Sequence, residues 1–266
     1  MVSLHHVQHA DRAVGPRDYK QFGDKILVTS LWETIQGEGP FAGTPAVFIR
    51  LAGCNRGSKA GNAGCAFCDT FFDFDKGLVL SAEELADRAE ALAGPLKTTR
   101  LVVITGGEPM MQDNVWHLVA CLINSGFQVQ MESNGDRLAP LFLGDPLSTM
   151  RLVVSPKAGL NGYGQLRDEV IERADVFKFL LEADPHSVYS LVPSAYLNGW
   201  RMRDKIMVSP ITVYKRDVKP GEIPSIWDET LVDGPATRAN ATYAAAYAIQ
   251  HGLRVSLQTH LWLAME

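Results

Sequence analysis

Short apolar runs alternate with amphipathic stretches along most of the chain. The runs at 25–35 (KILVTSLWETI), 46–53 (AVFIRLAG), 100–107 (RLVVITGG), 127–133 (FQVQMES), 151–157 (RLVVSPK), 175–181 (DVFKFLL), 205–210 (KIMVSP) and 253–260 (LRVSLQTH) are rich in β-branched residues, and Gly or Pro flanks several of them. This pattern predicts strands. Between them lie helical periods. Ser81 with Glu84 forms a capping-box signature ahead of ELADRAEAL,. The run DNVWHLVACLINSG starts near Asp113 and stops at Gly126, and GPATRANATYAAAYAIQHG has Pro235 in its first turn and Gly252 at its end,. Strand–helix–strand alternation predicts an α/β fold of mostly parallel strands joined by right-handed crossovers. Continuous apolar runs such as LVVIT and LVVS are those of strands buried on both faces.

A second regularity overlies the first. Polar residues or glycines gather where the predicted strands end: Cys54, then TGGEP, ESNG, SPK and QTH. In barrel-like α/β folds that rim assembles the active site. Composition narrows the class. The chain has 266 residues, 46% hydrophobic and 21% charged, with a net charge of −5. That is ordinary for a globular protein and argues against nucleic acid as a partner. No apolar run reaches the length of a membrane span, and the polar N-terminus predicts no secretory signal. Four cysteines are too few for a disulfide framework, so the expected compartment is a reducing cytoplasm,. Residues 1–24, with His5, His6 and His9, read as a flexible leader rather than a metal site, and 25–266 as one domain,.

Three of the four cysteines, Cys54, Cys65 and Cys68, fall in LAGCNRGSKAGNAGCAFCDT, the last two as C-x-x-C. Zinc is one reading of that pair, but a closed site needs a fourth ligand. Cys121, inside the helical WHLVACLI, reads as a small buried hydrophobe. An iron–sulfur cluster is the other reading: three thiolates would leave one iron with an open position.

The motifs TIQGEGPFAGTPAVFIRLAGCN, CAFCDT, TGGEPM, ESNG, VSPK and QTH, running from Thr34 to His260, together resemble the 7-carboxy-7-deazaguanine synthase family of the radical S-adenosylmethionine (SAM) superfamily. The gap of ten residues between Cys54 and Cys65 is an expanded form of the superfamily's cysteine motif. The resemblance implies a partial (β/α) barrel. It implies a [4Fe–4S] cluster on Cys54, Cys65 and Cys68, with SAM chelating the fourth iron. Phe67, Cys68 and Asp69 would border the adenosine. Gly107, Glu132, Ser133, Ser155, Pro156 and Lys157 would lie on SAM, and Glu108 suits its ammonium. Thr70 would bind Mg²⁺. Ile35, Gln36, Gly37, Thr105, His260 and the terminal Glu266 would hold the substrate. Arg50, a charge inside an apolar strand run, suits a substrate carboxylate held by two parallel hydrogen bonds. Leu261 stands where the family commonly has lysine, and Ser209 where it commonly has glutamine.

The implied reaction is a carbon–nitrogen lyase step: radical ring contraction of 6-carboxy-5,6,7,8-tetrahydropterin to 7-carboxy-7-deazaguanine with loss of ammonia, in queuosine and 7-deazapurine biosynthesis. The implied partners are the small pterin substrate, a flavodoxin or ferredoxin reductant and a second copy of the chain in a homodimer. Two rival readings share some of these residues. A radical SAM activase would make a glycyl radical on a protein partner, using the cluster but not the Q-G-E-G segment. A zinc-stabilised interaction module would be no enzyme at all.

Overall fold

A computed structural model describes residues 23–57, 65, 67–70, 77–94, 99–137, 146–199, 202–219 and 222–265. The leader, apart from its last two residues, and Glu266 lie outside the described residues. The chain divides into two compact units, the first built from residues up to Thr34 with Pro45–Ser133 and Ala139–Leu152, the second from Ile35–Thr44, Asn134–Leu138 and Val153–Glu266.

The first unit contains β1 (Ile26–Ile35, except its last residue), β2 (Pro45–Leu51), β3 (Leu78–Leu80), β4 (Leu101–Gly106) and β5 (Gln128–Ser133) in the order β3-β1-β2-β4-β5. β1 pairs antiparallel with β3, while β2, β4 and β5 run parallel. The parallel strands are as apolar as their burial demands: Leu101, Val102, Val103 and Ile104 are all buried,. Helix α1 (Ala82–Leu92) starts with the capping box read in the sequence, Ser81 Oγ accepting from Glu84 N–H and the Glu84 carboxylate accepting from Ser81 N–H,. Helix α2 (Val115–Asn124) buries Val115, Leu118, Val119 and Leu122, one stripe at helical spacing,.

In the second unit β6 (Arg151–Val154, except its first two residues), β7 (Val176–Leu181), β8 (Ile206–Pro210) and β9 (Arg254–Val255) are parallel neighbours in chain order. Helices α3 (Asp168–Arg173), α4 (Ser194–Leu197), α5 (Gly234–His251) and α6 (Thr259–Trp262) complete it. Helix α5 begins with Asp233 accepting from Ala236 N–H and ends at Gly252, whose φ of 65° is the left-handed cap that glycine adopts most readily,.

Two sequence expectations change. The predicted strand at 253–260 is only two residues long, and QTH opens α6 instead. The cause is long-range: Thr259 donates through both N–H (3.0 Å) and Oγ1 (3.1 Å) to the Gly37 carbonyl, which draws the segment out of the ladder. The run at 151–157 stops at Val154, leaving Ser155-Pro156-Lys157 as the turn that follows. Leu261 is buried and contributes to the core of this unit.

Candidate active site

In the first unit, the loop that carries the cysteines starts where β2 ends. Gln112 donates to the Ala52 carbonyl (3.2 Å) and to the Leu27 carbonyl (2.9 Å), fixing the chain two residues before Cys54. The TGGEP turn after β4 is set directly against it. Gly107 N–H donates to Leu51 O (3.3 Å) and Glu108 N–H to Gly53 O (2.8 Å). A Cβ on Gly107 would stand 2.0 Å from Gly53 O and 2.8 Å from Cys54 Cβ, and one on Gly106 would stand 2.1 Å from Leu51 O. Gly106 also has φ of 138°, a backbone conformation that side chains rarely tolerate,. The two glycines are therefore demanded by the close approach of two backbones at the first cysteine.

Cys54, Cys65 and Cys68 are of intermediate exposure and form no disulfide among the described residues. Cys68 N–H donates to Cys65 O (3.0 Å), closing the C-x-x-C turn. A partly exposed set of three thiols on tight turns has the donor chemistry that an iron–sulfur cluster needs. Next to it Thr70 Oγ1 donates to Asp69 Oδ1 at 3.3 Å, an oxygen pair of the hard type that Mg²⁺ favours,.

The strand ends bring further predicted residues together. Thr105 Oγ1 donates to Glu132 Oε2 (3.1 Å), and Gln130 Nε2 donates to Glu132 Oε1 (3.1 Å). Glu108 is wholly buried, and its Oε1 accepts from Met110 N–H (3.2 Å) and Ser133 Oγ (2.9 Å). Gln130 Oε1 and Thr34 Oγ1 are buried polar atoms with no partner among the described residues. An unmet buried polar atom beside a carboxylate, as Gln130 Oε1 is beside Glu132, marks a place where a ligand hydroxyl or amine gains a hydrogen bond,. Arg50 lies with its guanidinium carbon 4.6 Å from the centroid of the Trp32 ring. Trp32 is buried and packs 5.2 Å from Phe48. Such stacking orients an arginine and leaves its edge for a carboxylate. Sequence reading missed Trp32, because only strand pairing puts it under Arg50.

In the second unit the Q-G-E-G turn and the Q-T-H segment meet. A Cβ on Gly37 would lie 1.9 Å from His260 Nδ1, so the imidazole occupies the space a side chain at 37 would take. Gly39 N–H donates to Ser256 Oγ (2.8 Å), and Gln36 Oε1 accepts from Glu38 N–H (3.0 Å). Thr212 Oγ1 donates to Gln258 Oε1 at 2.5 Å. Beneath them Lys178 of β7 forms an ion pair with Glu38. Burial pulls the Lys178 ammonium down from 10.5 to about 8, and the Glu38 carboxylate opposes that fall by favouring the charged form,. Lys178 was absent from the sequence reading, although DVFKFLL carried the same signal as Arg50, a charge within an apolar run. After β6, Lys157 Nζ donates to Ser155 Oγ at 2.7 Å. Glu266 falls outside the described residues.

Known proteins resemble this chain over most of its length. The profile of the radical SAM superfamily matches residues 49–151. The 7-carboxy-7-deazaguanine synthase of Rickettsia prowazekii is 32% identical over 247 residues, covering 92% of this chain and 90% of the relative. That of Rhodospirillum rubrum is 31% identical, covering 90% and 92%. The crystal structure of QueE from Escherichia coli superposes with a TM-score of 0.60 at 26% identity, over 92% of this chain and 99% of that one. This chain belongs to the 7-carboxy-7-deazaguanine synthase family and is a radical SAM enzyme with a mostly parallel α/β fold.

Proposed function

We propose that the chain converts 6-carboxy-5,6,7,8-tetrahydropterin to 7-carboxy-7-deazaguanine. The observation that carries this reading is the meeting of Gly37 and His260, held by a bond from Thr259 to Gly37 across 222 positions of sequence. A radical SAM activase has no need of that built turn. The relatives align across both compact units, which supports treating 25–266 as one functional domain.

Cys54, Cys65 and Cys68 hold a [4Fe–4S] cluster, and Thr70 holds Mg²⁺. In the first unit Phe67, Cys68, Asp69, Gly107, Glu132 and Ser133 would line SAM. When bound, the cluster and SAM supply the electron and the radical that open the reaction. The protein's own groups bind and orient. Gly107 lets the turn close onto Gly53 and Cys54 beside the cluster thiols, and the Glu108 carboxylate holds that turn through Met110 and Ser133. The Gln130–Glu132–Thr105 chain offers an acceptor to a hydroxyl. In the first unit Arg50, steadied on Trp32, would grip a substrate carboxylate; in the second, the turn of Ile35, Gln36 and Gly37 set against His260 would face the pterin ring. Family membership supports a homodimer and a flavodoxin or ferredoxin reductant. Four cysteines with no disulfide among the described residues support the cytoplasm as compartment, and no helix among the described residues is long and apolar enough to cross a membrane.

The test is anaerobic incubation of the iron-loaded enzyme with dithionite, SAM, Mg²⁺ and carboxytetrahydropterin. The expected result is a product with the mass of 7-carboxy-7-deazaguanine and release of ammonia. SAM cleavage without that product would overturn the assignment.

A further inference from the structure

Away from every motif used above, helices α1 and α2 bring together three side chains of metal-ligand type. Glu83 stands in the first turn of α1. His117 and Cys121 lie four apart on α2 and so share one face of it,. His117 Nε2 is 2.6 Å from Glu83 Oε1, and Cys121 Sγ is 3.9 Å from His117 Nε2. All three ligand atoms lie within 4.8 Å of one another. Glu83 and His117 are exposed and Cys121 is half-buried, so an ion reaches them directly from solvent. The sequence had marked Cys121 as an inert core residue. Its thiol instead edges onto the helix–helix groove beside an imidazole.

We infer that Glu83, His117 and Cys121 form a second metal site that binds Zn²⁺, with water in the fourth position. One carboxylate, one imidazole and one thiolate are a borderline-soft set that suits zinc over Mg²⁺ or Ca²⁺. Tetrahedral bonds of about 2.0–2.3 Å put neighbouring ligand atoms roughly 3.3–3.7 Å apart. The Cys121–His117 separation is already close to that, and Glu83 reaches it by relaxing the hydrogen bond it makes to the same nitrogen. His117 would bind through Nε2 and keep its proton on Nδ1. Cys121 would bind as thiolate, its proton passing to solvent as the zinc–sulfur bond forms. Asp87, one turn along α1 from Glu83, adds negative charge near Cys121, which favours a cation there. The ion would clip α1 to α2. The inference does not rest on the pterin chemistry.

The test uses the cluster-loaded full chain, so that Cys54, Cys65 and Cys68 are already occupied. One equivalent of Zn²⁺ is added anaerobically, the protein is desalted, and zinc is counted beside iron. The expected result is one zinc retained per chain, with an X-ray absorption first shell of one sulfur at about 2.3 Å and the rest nitrogen or oxygen at about 2.0–2.1 Å. H117A and C121S should each weaken zinc binding at least tenfold by chelator competition, with iron content and turnover unchanged. Because both positions are on the helix surface, melting without zinc should match the parent. E83Q, which keeps the side chain's shape, should also weaken binding. A first shell dominated by sulfur, or zinc affinity unchanged in both H117A and C121S, would overturn the site.

Discussion

At the residue scale, two placements in the second unit are sharp enough to test by single substitutions. Glu38 and Lys178 pair within the protein, their side chains only 14% and 11% exposed. Removing one partner strands the other as a buried charge, a loss of about 3–5 kcal/mol in such pairs, whereas removing both often costs little. E38Q and K178M should therefore each lower the urea midpoint strongly, and the double variant should recover much of the loss. Additive losses in this cycle would mean the two charges do not sense each other. Gly37 gives a second case. A methyl there lands 1.9 Å from the His260 ring, and overpacking of this kind costs about 1–3 kcal/mol. G37A should be destabilised, and H260A in the same chain should relieve it by vacating the space. Turnover should stay low in the double variant, because the imidazole itself is needed.

At the element scale, the β4 turn and the end of β2 behave as one piece. Gly107 meets backbone at Gly53, which cannot rotate away as a side-chain tip can. G107A should push the turn off the start of the cysteine loop and lower the iron and sulfide retained after reconstitution. S81A, which loses the cap of α1 at about 1 kcal/mol, should leave iron content at the parental level. Equal iron in G107A and wild type would show that the turn does not position the cluster loop. The elements themselves were largely legible in the sequence, for physical reasons visible here. The buried run LVVIT could only be a strand covered on both faces, and the Ser81–Glu84 and Pro235–Gly252 signals are local chemistry that the helices then used. What escaped was non-local. β3 is three residues long and exists through its pairing with β1. QTH became a helix start because Thr259 bonds to a carbonyl on the far side of the sequence. The Trp32 platform beneath Arg50 and the Glu83–His117–Cys121 group likewise need neighbours that no window of sequence contains.

At the scale of the whole molecule, the two units carry different motifs. The first unit carries the thiols, the turn set against Cys54 and the Thr105–Glu132 and Glu108–Ser133 bonds. The second carries the Gly37–His260 contact and the Glu38–Lys178 pair that supports it. If the thiols and the turn at Cys54 handle SAM and the Gly37–His260 contact the pterin, defects in the two should have different signatures, because binding energy used to orient the substrate is separate from the step that generates the radical. C65A should lose both 5′-deoxyadenosine and 7-carboxy-7-deazaguanine. H260A should keep the cluster and go on cleaving SAM to 5′-deoxyadenosine, while the pterin product falls steeply. The ratio of the two products, measured by mass spectrometry on the same quenched reactions, is then near one for the parent only if SAM is consumed, and well below one if SAM is regenerated at each turnover. In H260A the ratio of 5′-deoxyadenosine to deazapurine should rise sharply in either case. If H260A instead lost both products in parallel, His260 would be acting on the radical-forming step, and the division of labour drawn from the motifs would be wrong.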